Sequence, residues 1–175
     1  MAGAASAGEG LAEELRRMIR EVERATRDYR KRIYAQRGII EYAEDLLRKP
    51  EDLDHPVFQA LAELYIEALK NIVEQARMPD ADIDIISEEN GKVIVVGKTY
   101  NVRDILKRHG FRFDWNARAW FTNKQVDVEG LAEELKARGY TVHIVKPIKL
   151  EKRVYNPSAG RDEVVDIVVY EKTPA

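Results

Sequence analysis

Between Lys98 and Lys124 the chain carries seven basic residues, Lys98, Arg103, Lys107, Arg108, Arg112, Arg118 and Lys124, against two acidic ones, Asp104 and Asp114. Six aromatic residues are interleaved with them: Tyr100, Phe111, Phe113, Trp115, Trp120 and Phe121. Cations that neutralise phosphates, set beside flat faces on which bases stack, make a single-strand nucleic-acid surface, and each stacked base is worth about 1–3 kcal/mol. Groups for catalysis are not assembled in the same way. His55, His109 and His143 stand apart, and none has a partner at metal-ligand spacing. Gly97-Lys98-Thr99 echoes the end of a phosphate loop but lacks its upstream glycine. No G-x-S-x-G elbow is present. Glu41, Glu44 and Asp45 read as a solvated acidic face. The expectation is therefore a non-catalytic binder with no cofactor and no metal.

The elements that must hold these residues can be read around them. Val93 to Val96 is a β-branched run between Gly91 and Gly97, a buried strand. Asn101 is placed to cap a short helix through His109, with Val102, Ile105 and Leu106 on its apolar face and Gly110 as its left-handed stop. Phe111, Phe113 and Trp115 then alternate with Arg112 and Asp114, Asn116-Ala117 forms a turn, and Arg118 to Thr122 returns as the second strand. Phe111 and Phe113 are expected in the core, whereas Trp115 and Trp120 can face either core or ligand. Arg118 and Trp120, two apart on the expected strand, share a face. Since Arg118 must stay wet, that spacing puts Trp120 on the binding surface and turns Ala119 and Phe121 toward the helices.

The order strand, GKTY, short helix ending in glycine, then F-x-F-D-x-x-x-R-x-W-F resembles the HARP module of annealing helicases over about residues 91–146. The layout of a basic helical arm joined to a cysteine-free α+β core is similar, more loosely, to the archaeal ThermoDBP-related single-stranded nucleic-acid-binding proteins. Both resemblances imply nucleic acid as ligand, and neither brings the ATPase motor of a helicase.

Upstream, Leu11, Leu15, Met18, Val22, Ala25 and Tyr29 form a heptad seam on a long helix reaching about Arg37. Its other faces hold nine basic residues, among them Arg30, Lys31, Arg32 and Arg37, against three acidic ones between Arg16 and Arg37; Tyr29 and Tyr34 add aromatic surface. A solvated face and a phosphate-tracking face both fit this pattern. The seam points to a homodimer or higher oligomer. A second class of function follows from it, an oligomerising structural or regulatory adaptor with no nucleic-acid role.

Gly38 breaks this helix from a second one ending at Lys49-Pro50, and Asp54 caps a third. Met78-Pro79-Asp80 marks the boundary where the period changes from helix to strand. Asn90-Gly91 then turns a hairpin, and Asp127 and Gly139 bound a helix before a strand at Tyr140 to Val145. Pro147 breaks that strand, and residues 149–163 form a flexible loop before a last strand from Val164 to Tyr170.

The fold expected is α+β: a disordered tail over residues 1–10, three helices over 11–78, and over 80–175 an antiparallel or mixed sheet of five to six strands with two helices on one face. At 175 residues the chain can bury a real core, and its net charge of −2 excludes a bulk polycation, so any electrostatic footprint is local. The absence of cysteine fits a reducing, cytoplasmic setting, and the abundance of Arg, Glu and Lys suits a thermophile. The expected binding set is Lys98, Tyr100, Arg103, Lys107, Arg108, Arg112, Trp115, Arg118, Trp120 and Lys124, joined by Arg30 and Arg37. The expected partner is single-stranded DNA, with RNA as the alternative.

Overall fold

A computed structural model describes residues 6–27 and 37–175. Tyr29, Arg30, Lys31, Arg32 and Tyr34 of the expected long helix, and the side chain of Arg37, lie outside the described residues. Among the described residues, five α-helices and a six-stranded mixed sheet make up an α+β fold. The chain divides into two compact units, residues 1–78 with 148–169, and residues 79–147 with 170–175.

In the first unit α1 (Ala7–Ala25) begins inside the stretch expected to be a tail. Ser6 caps it, its hydroxyl accepting from the Glu9 N–H at 3.1 Å, the first half of an S-x-x-E capping box. Thr26 closes the helix with its hydroxyl on the Val22 carbonyl. α2 (Arg37–Arg48) takes Gly38 into its first turn, so that glycine does not break a helix. After a single-turn 3₁₀ helix (Pro50–Asp54), α3 (Pro56–Arg77) starts with Pro56 at its first position. His55, not Asp54, is its cap, with Nδ1 accepting from the Val57 N–H.

The described residues of the heptad seam pack within this unit. Leu15, Met18 and Val22 are buried with Leu53, Leu64, Leu69 and Ile72 in one core. The approach of α1 to the 3₁₀ turn is tight: a Cβ on Gly8 would lie 2.9 Å from the Leu53 carbonyl. Leu15, Met18 and Val22 of the seam thus pack against α3 and the 3₁₀ turn of the same chain.

The second unit carries β1 (Ile83–Ser87), β2 (Val93–Gly97), α4 (Arg103–Arg108), β3 (Arg112–Asp114), β4 (Ala119–Thr122) and α5 (Val128–Ala137). The long strands β5 (Val142–Asn156) and β6 (Arg161–Pro174) follow, giving the strand order β3-β4-β2-β1-β5-β6. β1 pairs antiparallel with β2 and parallel with β5, which makes the sheet mixed. One sheet face presents Ile83, Ile85, Val95 and Ile144 to Ile105 and Leu106 of α4 and Leu131 and Leu135 of α5, so both helices cover that face as expected. Alternation with period two places every second strand residue there.

Pro147 does not end β5. It falls beyond Val145, the last residue paired with β1, where its missing N–H costs no bond of that ladder. Residues 149–163 are therefore not a flexible loop. Most belong to the two strands, joined by a tight turn at Asn156–Arg161. Ile148, Leu150, Val165, Ile167 and Val169 pack into the helical core of the first unit, and that burial explains why the ribbon groups with residues 1–78.

Truncating Leu15, which is fully buried in that core, to alanine should cost about 2–5 kcal/mol in denaturant melts. Light scattering on the same variant separates the alternatives: smaller particles with stability retained would place the seam between copies instead.

Candidate nucleic-acid interface

The six residues of α4 sort into three stripes. Ile105 and Leu106 enter the core. Asp104 and Arg108, four apart and so on one face, reach α5: Arg138 donates to Asp104 at 2.8 Å and to the Asn101 carbonyl, and Arg108 pairs with Glu134. His109 Nε2 adds a contact to Glu134 at 3.0 Å. The hydrogen bond from Arg138 holds the Asp104 carboxyl below the usual carboxylate range. With both ends of α4 fixed on α5, the remaining stripe, Arg103 and Lys107, lies along a pocket of about 1040 Å³.

Two glycine stops shape this pocket. Gly110 (φ 88°) and Gly139 (φ 93°) end the turns after α4 and α5 in the left-handed region. Each is followed by an aromatic residue whose N–H returns to the helix, Phe111 to the Leu106 carbonyl at 3.0 Å and Tyr140 to that of Leu135 at 3.2 Å. This six-to-one bond is the Schellman closure, and it delivers both Phe111 and Tyr140 to the pocket wall. A third stop, Gly97 (φ 115°), ends β2 and turns the chain into Lys98, Thr99 and Tyr100. Asn101 does not cap a helix there; Tyr100–Val102 forms one 3₁₀ turn with no side-chain cap before α4 begins at Arg103.

The β3–β4 hairpin supplies the rest. Asp114 accepts from the Asn116 and Ala117 N–H groups, at 2.9 and 3.3 Å, and so nucleates a four-residue loop with Trp115 as its first member. Arg118, the last, has φ 51° and therefore lies outside the strand. The alternation of β4 starts at Ala119, and the expectation that Trp120 shares a wet face with Arg118 is overturned. Trp120 sits opposite Phe113 and Val95 in register, is 5 % exposed, and belongs to the core beneath α4 and α5. Phe121 takes the other face, where the Lys92 ammonium lies 5.1 Å from its ring centroid.

Trp120 nonetheless reaches the pocket from below. Its indole N–H donates to the Thr99 hydroxyl at 3.2 Å, and its ring meets Phe113 edge-on at 5.3 Å between centroids. Phe113 in turn meets Trp115 edge-on at 4.8 Å. Trp115 itself is 83 % exposed and Tyr100 72 % exposed, so these two rings form the open rim.

Of the residues expected to bind, the pocket gathers Lys98, Tyr100, Arg103, Lys107, Arg112, Trp115 and Trp120. It does not gather Arg108, engaged by Glu134, nor Arg118 in the hairpin loop, nor Lys124 beyond β4. Arg30 and the side chain of Arg37 lie outside the described residues. Thr99, Asn101 and Tyr140 were not anticipated as lining. The Gly139-Tyr140 step, an aromatic directly after a helix stop, is the signal that could have found Tyr140.

The pocket's charge has one sign. Among the described residues its lining holds four cations, six aromatic rings and no carboxylate. Lys98 is paired with Asp82 at 3.2 Å, and the Thr141 N–H and Lys98 together hold the Asp82 carboxyl below its usual range. The Arg103 guanidinium lies 3.9 Å from the Tyr100 ring centroid, with Nε donating to the Tyr100 carbonyl at 2.8 Å. Lys107 and Arg112 have no carboxylate partner among the described residues. The histidines are dispersed: His55 meets Ser158 at 3.1 Å, His109 meets Glu134, and His143 stands 3.7 Å from Asp84. Among the described residues no helix is long and apolar enough to cross a membrane. No protein-family model matches the chain, and no curated protein or solved structure does either.

The two tryptophans should therefore separate cleanly on truncation. Trp120→Ala should cost about 3–5 kcal/mol of stability, whereas Trp115→Ala should stay within about 0.5 kcal/mol of the parent. Thermal melts of both variants check this, and equal losses would mean that Trp115 is also a core residue.

Proposed function

We propose that this protein is a non-catalytic binder of single-stranded nucleic acid, DNA or RNA, and that the pocket of the second unit is its site. The observation that carries the reading is the pairing of Lys107 and Arg112, cations without a carboxylate partner among the described residues, with the exposed rings of Tyr100 and Trp115 around one concavity whose described lining holds no acidic residue. Leaving cations unpaired against apolar surface stabilises nothing within the fold, but it matches a ligand that is both flat and anionic. Strands without a base-pairing partner expose such faces and phosphates together, whereas duplexes hide their bases in the stack. The pocket's volume, about 1040 Å³, is just above the range for small-ligand sites, roughly 300–1,000 Å³, which leaves room for bases.

Of the positions that carry the HARP resemblance, Lys98, Tyr100, Phe113 and Trp120 fall on the pocket, whereas Arg118 does not. The adaptor alternative has less to support it, because Leu15, Met18 and Val22 of the seam are buried against their own unit. Binding at this pocket needs no dimer. On α1, Arg17 and Arg24 pair with Glu14 and Glu21, a pattern that suits a solvated face more than a phosphate track.

A panel of single- and double-stranded DNA and RNA, at two salt concentrations, tests the reading. Single strands should bind more tightly than duplexes, with a log–log salt slope of about −0.7 per phosphate neutralised. Changing Lys107 and Arg112 together to alanine should weaken binding and flatten the slope by about 0.7 for each phosphate no longer neutralised. Affinity unchanged by salt, or by these substitutions, would contradict the proposal.

A further inference from the structure

How much of a strand the pocket holds is set by sheet topology, given that it takes single-stranded nucleic acid. β2 and β3 each pair antiparallel with β4, so they run in the same direction and end at the same edge of the sheet. Tyr100 comes three residues after the end of β2, at the start of the 3₁₀ turn, and Trp115 follows the end of β3 directly. With β4 between them, the two strand ends are two strand spacings apart, roughly 9–10 Å. Successive stacked bases are about 3.4 Å apart, so two bases between two rings span three intervals, roughly 10 Å.

Both rings are pinned while keeping a face to offer. Arg103 covers one face of Tyr100, and the edge contact with Phe113 steadies Trp115. The nearby cations that would extend a phosphate track are engaged, Lys98 by Asp82 and Arg108 by Glu134. Of the cations that line the pocket, Lys107 and Arg112 remain, enough for the phosphates of a short segment.

We propose that Tyr100 and Trp115 clamp two consecutive bases of a single strand, with the adjoining phosphates on Lys107 and Arg112, so that the ligand unit is a dinucleotide. The clamp makes the two rings interdependent, because a base released from one loses alignment on the other.

Calorimetric titration with a 5′-phosphorylated thymidine dinucleotide and with an oligothymidylate dodecamer tests the clamp. The dinucleotide should bind, and Tyr100→Leu and Trp115→Leu should each weaken it about 5- to 150-fold, the range of one stacking surface. The double variant should lose less than the product of the two single losses. Because both rings are exposed, melting temperatures should match the parent and confirm that the variants fold. Binding of the dodecamer without the dinucleotide, or losses that simply multiply, would overturn the clamp while leaving strand binding intact. Silence toward both ligands would overturn the binding function as well.

Discussion

The indole of Trp120 is the fixed point of the second unit. Its ring fills the core between the sheet and α4 and α5, and its N–H, which burial would otherwise strand, reaches the Thr99 hydroxyl at 3.2 Å. That bond ties the turn after β2 to the middle of β4. Phe113 leans on the same ring and carries Trp115 behind it. The two rim aromatics are thus positioned by one buried residue, from two different strands. A site on loops gains its precision from the rigid scaffold beneath it, and here one buried side chain links that scaffold to both loops.

Charge is organised around the same constraint. α4 is too short to have much stability of its own, and its two polar stripes divide the work. Asp104 and Arg108 bind it to Arg138 and Glu134 of α5, while Arg103 and Lys107 are left for the pocket. Surface ion pairs contribute little to stability individually, so their effect here is orientation. They decide which cations are neutralised within the fold and which remain for a ligand.

Much of this is legible in the chain. Asn90-Gly91, Asp127, Gly110 and Gly139 mark their turns and caps because each depends on local backbone chemistry alone. The helix-to-strand change at Met78-Pro79 coincides with the boundary between units. Where local signals compete, tertiary context decides between them. Ser6 and Glu9 spell a cap inside a stretch whose Ala and Gly content suggests a tail. Pro147 usually ends a strand, but whether it does so depends on which neighbour needs its N–H, which only the pairing of β1 with β5 decides. The spacing from Arg118 puts Trp120 on the wrong face, because one left-handed residue, Arg118 itself, shifts the alternation by a step. The register opposite Phe113, itself expected in the core, carries the correct phase. The pocket could not be drawn from sequence because its walls come from four separated chain reversals, after β2, α4, β3 and α5.

The central claim is that the aromatic, cationic pocket of the second unit is where nucleic acid binds. The chain has two tryptophans, so it gives two indole N–H resonances, one from the open rim and one from the floor. Recording both by NMR during titration with an oligothymidylate tests the claim most directly. The account predicts that the Trp115 resonance moves from the first addition, that Trp120 shifts less as Thr99 adjusts, and that the arginine side chains of α1 stay in place. Stationary indoles with moving α1 arginines would contradict it and put the binding surface on the helical unit.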